Sequence, residues 1–592
     1  MKNDASPSDL TTMKPCHMPP HKQTDMPDAS KTESDVTAAF NFGRFIATGA
    51  SSHSDYARSI LEALVAVGKG TTPHSSFGDP QKLARICQEI GVDTVESTPE
   101  EQAIALAEIF HKDEEASNIT FPFLRRVPHV RHTIWEQNRS MPRYASQEGL
   151  EMLDHTSMGG DYDSISMCLH AGQVALGDGW DSSMIATEVA DILFGTPSAK
   201  TSSISFDMLQ KDHINILVHS QNPIVFETMY AAAHDPEMEN KAVASGALGV
   251  NIVDCRHLES ESLESQVNPT IDTALRMELS IATGAVDMLL VDDLCSVPRL
   301  LTGAHCHNTL CASISDTTCA SGVTCLEFTP QDAHTTACTA ICAAIDAFSK
   351  RRAIIVDIPS APVQLMTGFS QEALLNACGG TPDMLIKALE IGHIRGIVAI
   401  MCCHNPASQH NQAHIQLAHE LVQRDILVVV TGCATTSMGE SGLMDVDTLD
   451  HVGQGLATVC QSLDFPPVLH MGSCMDTARF LHLSAILANH ANCDTGELPI
   501  AVSAPEWYTE KSLSIGLSCV ASGIYTHLGV PSSFLEGKRP TDSMVSELEE
   551  IYGASFAVEF DPIKAADIIE EQIHHKRLAL GWHDRYSGEI FS

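Results

Sequence analysis

The chain has 592 residues, 44% hydrophobic and 19% charged, and a formal net charge of −40. At roughly 150 residues per domain that length implies three or four domains, with enough apolar content for sizeable cores and against global disorder. So acidic a surface repels nucleic acid and anionic membranes, and neither is expected as a partner. No apolar run approaches the ~20 residues that span a bilayer, and no basic-then-apolar leader opens the chain; the expected compartment is the cytoplasm.

Residues 1–33, rich in Pro, Ser, Thr, Asp and Lys, read as a disordered tail. Cys16, His17 and His21 within it are metal donors without a preformed site. Residues 34–210 read as a helical domain: Ala57–Ala66 and Glu101–Phe110 place apolar residues at three-to-four spacing. Asp181–Leu193 begins with capping residues and stops at Gly195 and Pro197.

After residue 210 the period changes to short β-branched runs separated by helical segments. They are Ile214–Val218, Val250–Val253, Val286–Val291, Gly396–Met401, Ile426–Val430, Val468–His470 and Ile500–Val502. Such alternation predicts an α/β fold with mostly parallel sheets covered by helices on both faces. Two Rossmann-like domains are expected, at 211–350 and 351–592, with Pro359 and Pro362 near the border.

Ligands of open parallel sheets bind beyond the carboxyl ends of the strands. Here four strands run into a thiol: Cys295 after Val286–Val291, Cys403 after Gly396–Met401, Cys433 after Ile426–Val430 and Cys474 after Val468–His470. Gly432 and Ser473 precede two of them and permit close backbone approach. Four converging thiolates are what a cubane iron–sulfur cluster requires. Zinc also accepts four thiolates, but its sites usually use paired knuckles at two-residue spacing. No close C-x-x-C pair supports a thioredoxin-type reading. Cys306, Cys311, Cys319 and Cys325, with His305 and His307, lie in one loop-rich stretch that also lacks knuckle spacing.

The stretches DILFGTP (Asp191–Pro197), VLHMGSC (Val468–Cys474), VVTGC (Val429–Cys433), HTSMGGD (His155–Asp161) and FAVEFDPIKAADII (Phe556–Ile569) resemble the anaerobic nickel–iron–sulfur carbon monoxide dehydrogenases over about residues 44 to 580. The resemblance implies a homodimer, a prismane-like fold and a catalytic cluster of nickel, iron and sulfide with one pendant iron. By position, Cys295, Cys403 and Cys433 would hold three cubane irons and Cys474 the nickel. Lys511 falls where the family's lysine stabilises bound carbon dioxide, His53 in ATGASSHSDYA matches a histidine beside the site, and Asp161 an acidic residue near the cluster. Oxidation of carbon monoxide by water develops negative charge on a carboxylate, which a buried cation stabilises, while a nearby imidazole can relay protons.

Three departures from the family pattern stand out. Its N-terminal cysteines for further 4Fe-4S clusters are missing, since only Cys16 precedes Cys87. The pendant iron's histidine falls on Gln221, and a carboxamide is a far weaker iron ligand than imidazole. Its cysteine falls on His257, with Cys255 two residues earlier as a rival donor and Glu259 and Glu261 close behind. The expectation is therefore one cubane-type cluster per chain, nickel-containing or not, acting on a small gaseous or small polar substrate and served by an unknown electron-transfer protein. The leading reading is an oxidoreductase of that family whose ordinary carbon monoxide oxidation is weak or absent. The others are a hybrid-cluster-like reductase of hydroxylamine-type substrates, and a non-enzymatic protein that senses redox state or carbon monoxide or handles nickel.

Overall fold

A computed structural model describes the whole chain apart from residues 1–28, 72–75, 114–120, 142–144, 159–162, 221–222, 256–273, 292–297, 315–322, 327, 329–331, 352–354, 361, 402, 406–411, 530–541 and 584–592. The chain opens with a helix of 40 residues, Ala29–Gly68. Its onset lies ahead of position 34, because no proline after Pro27 interrupts the helical run before Pro73. Helices then dominate to Phe194.

One helix differs from expectation. The capping-type residues at 181–183 do not start a new helix; the helix Ser164–Gly177 continues through a π-helical turn at Asp178–Ser182 into Ser183–Phe194. Ser182 keeps helical angles (φ −56°, ψ −52°) and its side chain caps nothing. Single π turns inside α-helices recur at functional sites.

Among the described residues thirteen strands follow: β1 (Lys200–Ile204), β2 (Ile214–His219), β3 (Val250–Asp254), β4 (Val286–Val291), β5 (Leu310–Ser313), β6 (Thr324–Cys325), β7 (Val363–Thr367), β8 (Gly396–Ile400), β9 (Ile426–Thr431), β10 (Val468–Gly472), β11 (Ile500–Ala504), β12 (Tyr525–Leu528) and β13 (Phe556–Val558). The first α/β unit is a parallel sheet of order β3-β2-β4-β5-β6, the second a parallel sheet of order β10-β9-β8-β11-β12-β13. Numbered within each sheet these are 2-1-3-4-5 and 3-2-1-4-5-6, the two common doubly wound orders. Their switch points lie between β2 and β4 and between β8 and β11.

β1 and β7 form a separate antiparallel ribbon in which Ile204 stands opposite Val363. Between them lies the first α/β unit, which has its own apolar clusters around Ile216, Leu290 and Ile341 on one side and Leu217, Val253 and Leu289 on the other. The N-terminal helices and the second α/β unit instead share one core, to which, among the described residues, nothing between Ile204 and Leu365 contributes. β8, β9, β10 and β11 are buried along their whole length, as their continuous apolar runs require of strands covered on both faces.

Candidate active site

Cys403, Cys433 and Cys474 all follow carboxyl ends of the six-stranded sheet, after β8, β9 and β10. Cys433 opens the helix Ala434–Glu440, and Cys474 precedes the helix Thr477–Ala491. Gly432, at φ +65°, makes their approach feasible: its N–H donates to the Gly472 carbonyl at 2.8 Å, and a Cβ there would lie 3.2 Å from the Cys474 Cβ. Any side chain at 432 would adopt a disfavoured backbone and push the two cysteine turns apart.

The Cys474 turn is braced from behind. Asp476 accepts from the Ser473 backbone N–H (2.8 Å) and hydroxyl (2.6 Å) and pairs with Arg479. Arg479 in turn grips Asp191 through both terminal nitrogens, at 2.8 and 2.7 Å. Burial pushes the Cys474 thiol up to about 11; Lys511 opposes this and Cys403 adds to it. Cys474, Cys403 and Lys511 are therefore close enough to feel one another. A buried thiol reluctant to ionise becomes a thiolate once a cation compensates its charge, so this donor set suits a soft metal centre.

The helix Glu510–Ala521 organises the opposite wall. At its start, Thr509 Oγ1 and Ser512 Oγ each lie 3.2 Å from Cys403 Sγ. Lys511 stands between these two residues in the sequence. One turn on, Ser514 Oγ donates to Asp178 Oδ2 at 2.5 Å. Asp178, on the π turn, holds His53 Nδ1 at 2.7 and 2.9 Å and also accepts from Ser183 at 3.3 Å. His53 is fully buried, and its Nε2 has no hydrogen-bond partner. Nδ1–H donation to the carboxylate leaves that Nε2 as a free acceptor. Gly49, one turn before His53, lets the two helices touch, since a Cβ there would meet the Glu510 carbonyl oxygen at 2.5 Å and Lys511 Cα at 3.0 Å.

Asp178, Ser514 and Gly49 were not singled out from the sequence. Gly177 and Gly179 flanking a lone aspartate within a helical run are the one available hint. Of the other expected residues, Cys295, Gln221, His257 and Asp161 lie outside the described residues. β2 and β4 end together, with His219 opposite Val291. Cys255 is fully buried in an apolar cluster with Leu217, Val253 and Met277. In the loop-rich cysteine group, Cys306 is exposed, Cys311 is packed in the core, Cys325 is disulfide-bonded and Cys319 lies outside the described residues.

Comparison with known proteins agrees with this architecture. The profile of the Prismane/CO dehydrogenase family matches residues 12–563. The chain belongs to that family. Its family relatives include carbon monoxide dehydrogenase 1 of Methanosarcina acetivorans, 37% identical across 96% of this chain and 91% of the relative. Carbon monoxide dehydrogenase 2 of Carboxydothermus hydrogenoformans is 30% identical over 96% and 91%. Among solved family structures, an as-isolated nickel-free carbon monoxide dehydrogenase from Thermococcus sp. AM4 superposes with a TM-score of 0.84 at 36% identity, covering 92% of this chain and 86% of that one. Carbon monoxide dehydrogenase IV of C. hydrogenoformans gives 0.84 at 34%, covering 92% and 89%. The relatives are named carbon monoxide dehydrogenases, which supports an oxidoreductase of that family and does not favour the hydroxylamine-reductase or non-enzymatic readings. No helix among the described residues is long and apolar enough to cross a membrane.

Proposed function

We propose that this chain catalyses the interconversion of carbon monoxide and carbon dioxide, CO + H2O ⇌ CO2 + 2H+ + 2e−, at one thiolate-held cluster per chain. Cys295, Cys403, Cys433 and Cys474 would hold the cubane, with nickel on Cys474. The observations that support this reading are the mutual electrostatic influence of Cys403, Cys474 and Lys511 and, on the helix packed against Glu510 and Lys511 at Gly49, a buried His53 whose Nε2 is unpartnered. When bound, the metal centre activates carbon monoxide and receives the electron pair.

The rest of the chemistry falls to the protein. The Lys511 ammonium offsets the negative charge that grows on the carboxylate oxygens as water adds to carbon. His53 Nε2 accepts a proton released from that water, and Asp178 stabilises the imidazolium that results. Burial of the pocket keeps both interactions strong by excluding bulk water. With only Cys16 ahead of Cys87, electrons leave to a protein docked near the cluster or to an artificial acceptor. A homodimer in the cytoplasm completes the reading.

Gln221 and His257 set this chain apart. Both replace strong pendant-iron ligands, so carbon monoxide oxidation is slow, and Cys255, packed in the core, does not compensate. The test is anaerobic, nickel-replete expression with iron and nickel assays and viologen reduction under carbon monoxide. About one cluster per chain is expected, with low turnover that Gln221→His plus His257→Cys raises by ~10-fold or more. Iron for two or more clusters, or wild-type rates equal to those of the family relatives, would sink the proposal.

A further inference from the structure

The switch point of the six-stranded sheet holds a second group of ligating side chains that the chemistry above does not use. Glu506 lies just beyond β11, and His404 follows Cys403 beyond β8, its neighbour in the sheet. His414 projects from the helix Gln412–Gln423. His404 Nδ1 is 2.7 Å from one Glu506 carboxylate oxygen, and His414 Nδ1 is 3.4 Å from the other. One donor atom from each residue lies within 4.8 Å of the other two.

These groups are deeply placed. The Glu506 and His414 side chains are 1% and 0% exposed, and that of His404 is 15% exposed. His414 Nε2 has no hydrogen-bond partner. A fully buried imidazole nitrogen left unsatisfied is costly, and such exceptions call for an unseen partner.

We propose that His404, His414 and Glu506 form a mononuclear site for a divalent ion of the zinc or ferrous class, separate from the thiolate cluster. Two imidazoles and one carboxylate are the donor set such ions take when a coordination position stays open for water or substrate. Donors at 2.0–2.1 Å from an ion stand roughly 3.3 Å apart in tetrahedral geometry, and with one donor atom of each residue already within 4.8 Å of the others, binding draws the three side chains onto one point. The location also fits, since doubly wound sheets hold ligands at this crevice. The ion would fix the turn that carries Cys403.

Zinc titration of the full-length, anaerobically purified protein tests this, read by thermal melting, zinc content and zinc-edge X-ray absorption. The expected result is one zinc per chain, an upward shift in Tm, and a coordination shell of nitrogen and oxygen only. His414→Gln and Glu506→Gln should each weaken zinc binding by roughly 100-fold or more. His404→Asn, which retains a hydrogen-bond donor toward Glu506, should melt like wild type without zinc yet lose the zinc-dependent shift. Substituting ferrous iron for zinc in the same titration distinguishes the two ions. Sulfur in the shell, no shift in wild type, or an undiminished shift in His404→Asn would overturn the site and leave a hydrogen-bonded triad.

Discussion

Each proposed reacting group rests on a residue behind it. His53 accepts protons at Nε2 only while Asp178 holds Nδ1–H, and Asp178 stays in place through Ser514 and Ser183. Asp178→Asn preserves shape but removes the charge that fixes the tautomer. Turnover should fall by ~10²- to 10⁴-fold, the usual span for a positioned acid–base group, with iron and nickel per chain unchanged. Loss of metal alongside activity would assign Asp178 to cluster retention instead. Of this constellation, Cys403, Cys433 and Cys474 could be picked out because each ends a β-branched run, whereas Lys511 and His53 were picked out only through the family resemblance. Asp178 was not legible, because the π turn that presents it leaves the helical hydrophobic pattern unbroken.

At the level of strands, the central runs could be read directly because burial on both faces makes them continuously apolar. β5, β6, β12 and β13 escaped notice, having only two to four residues and no period to detect. The β1–β7 ribbon escaped for another reason, since its partners lie more than 150 residues apart and neither is strongly apolar. β12 carries a group that makes stability depend on pH. His527 is buried between Ser503, which donates to Nδ1 at 2.8 Å, and the Glu559 carbonyl, which accepts from Nε2 at 2.9 Å. Burial lowers its pKa from 6.5 to about 4, although the Glu559 carbonyl favours the charged form. Between those values the unfolded chain binds the extra proton, so stability is fully present above pH 6.5 and is lost as pH falls toward 4. The loss amounts to about 3 kcal/mol. Denaturant melts at pH 7 and 4.5 should show it, and His527→Gln should flatten that limb; an unchanged slope would rule the histidine out.

Across the whole molecule, a buried ionic network ties the N-terminal helices to the second α/β unit. Lys82 Nζ contacts Glu188 (2.8 Å), Asp191 (2.5 Å) and Glu372 (2.9 Å), while Arg479 reaches Asp191 from the other side. Lys82→Met would strand carboxylates without their cation, at a cost of about 3–5 kcal/mol by thermal or chemical unfolding. A much smaller change would mean that Arg479 on Asp191 and Arg126, which pairs with Glu188, suffice. The ribbon of β1 and β7 has a different consequence. Antiparallel partners such as Ile204 and Val363 sit roughly 5 Å apart, so residues 205–362 form a cassette whose two ends already meet. Splicing Ile204 to Val363 through a two-residue hairpin should excise the cassette and leave a cooperatively melting miniature. It would retain His53, Cys403, Cys433, Cys474 and Lys511 but lack Cys295, a folded vessel missing one of the four proposed cluster ligands.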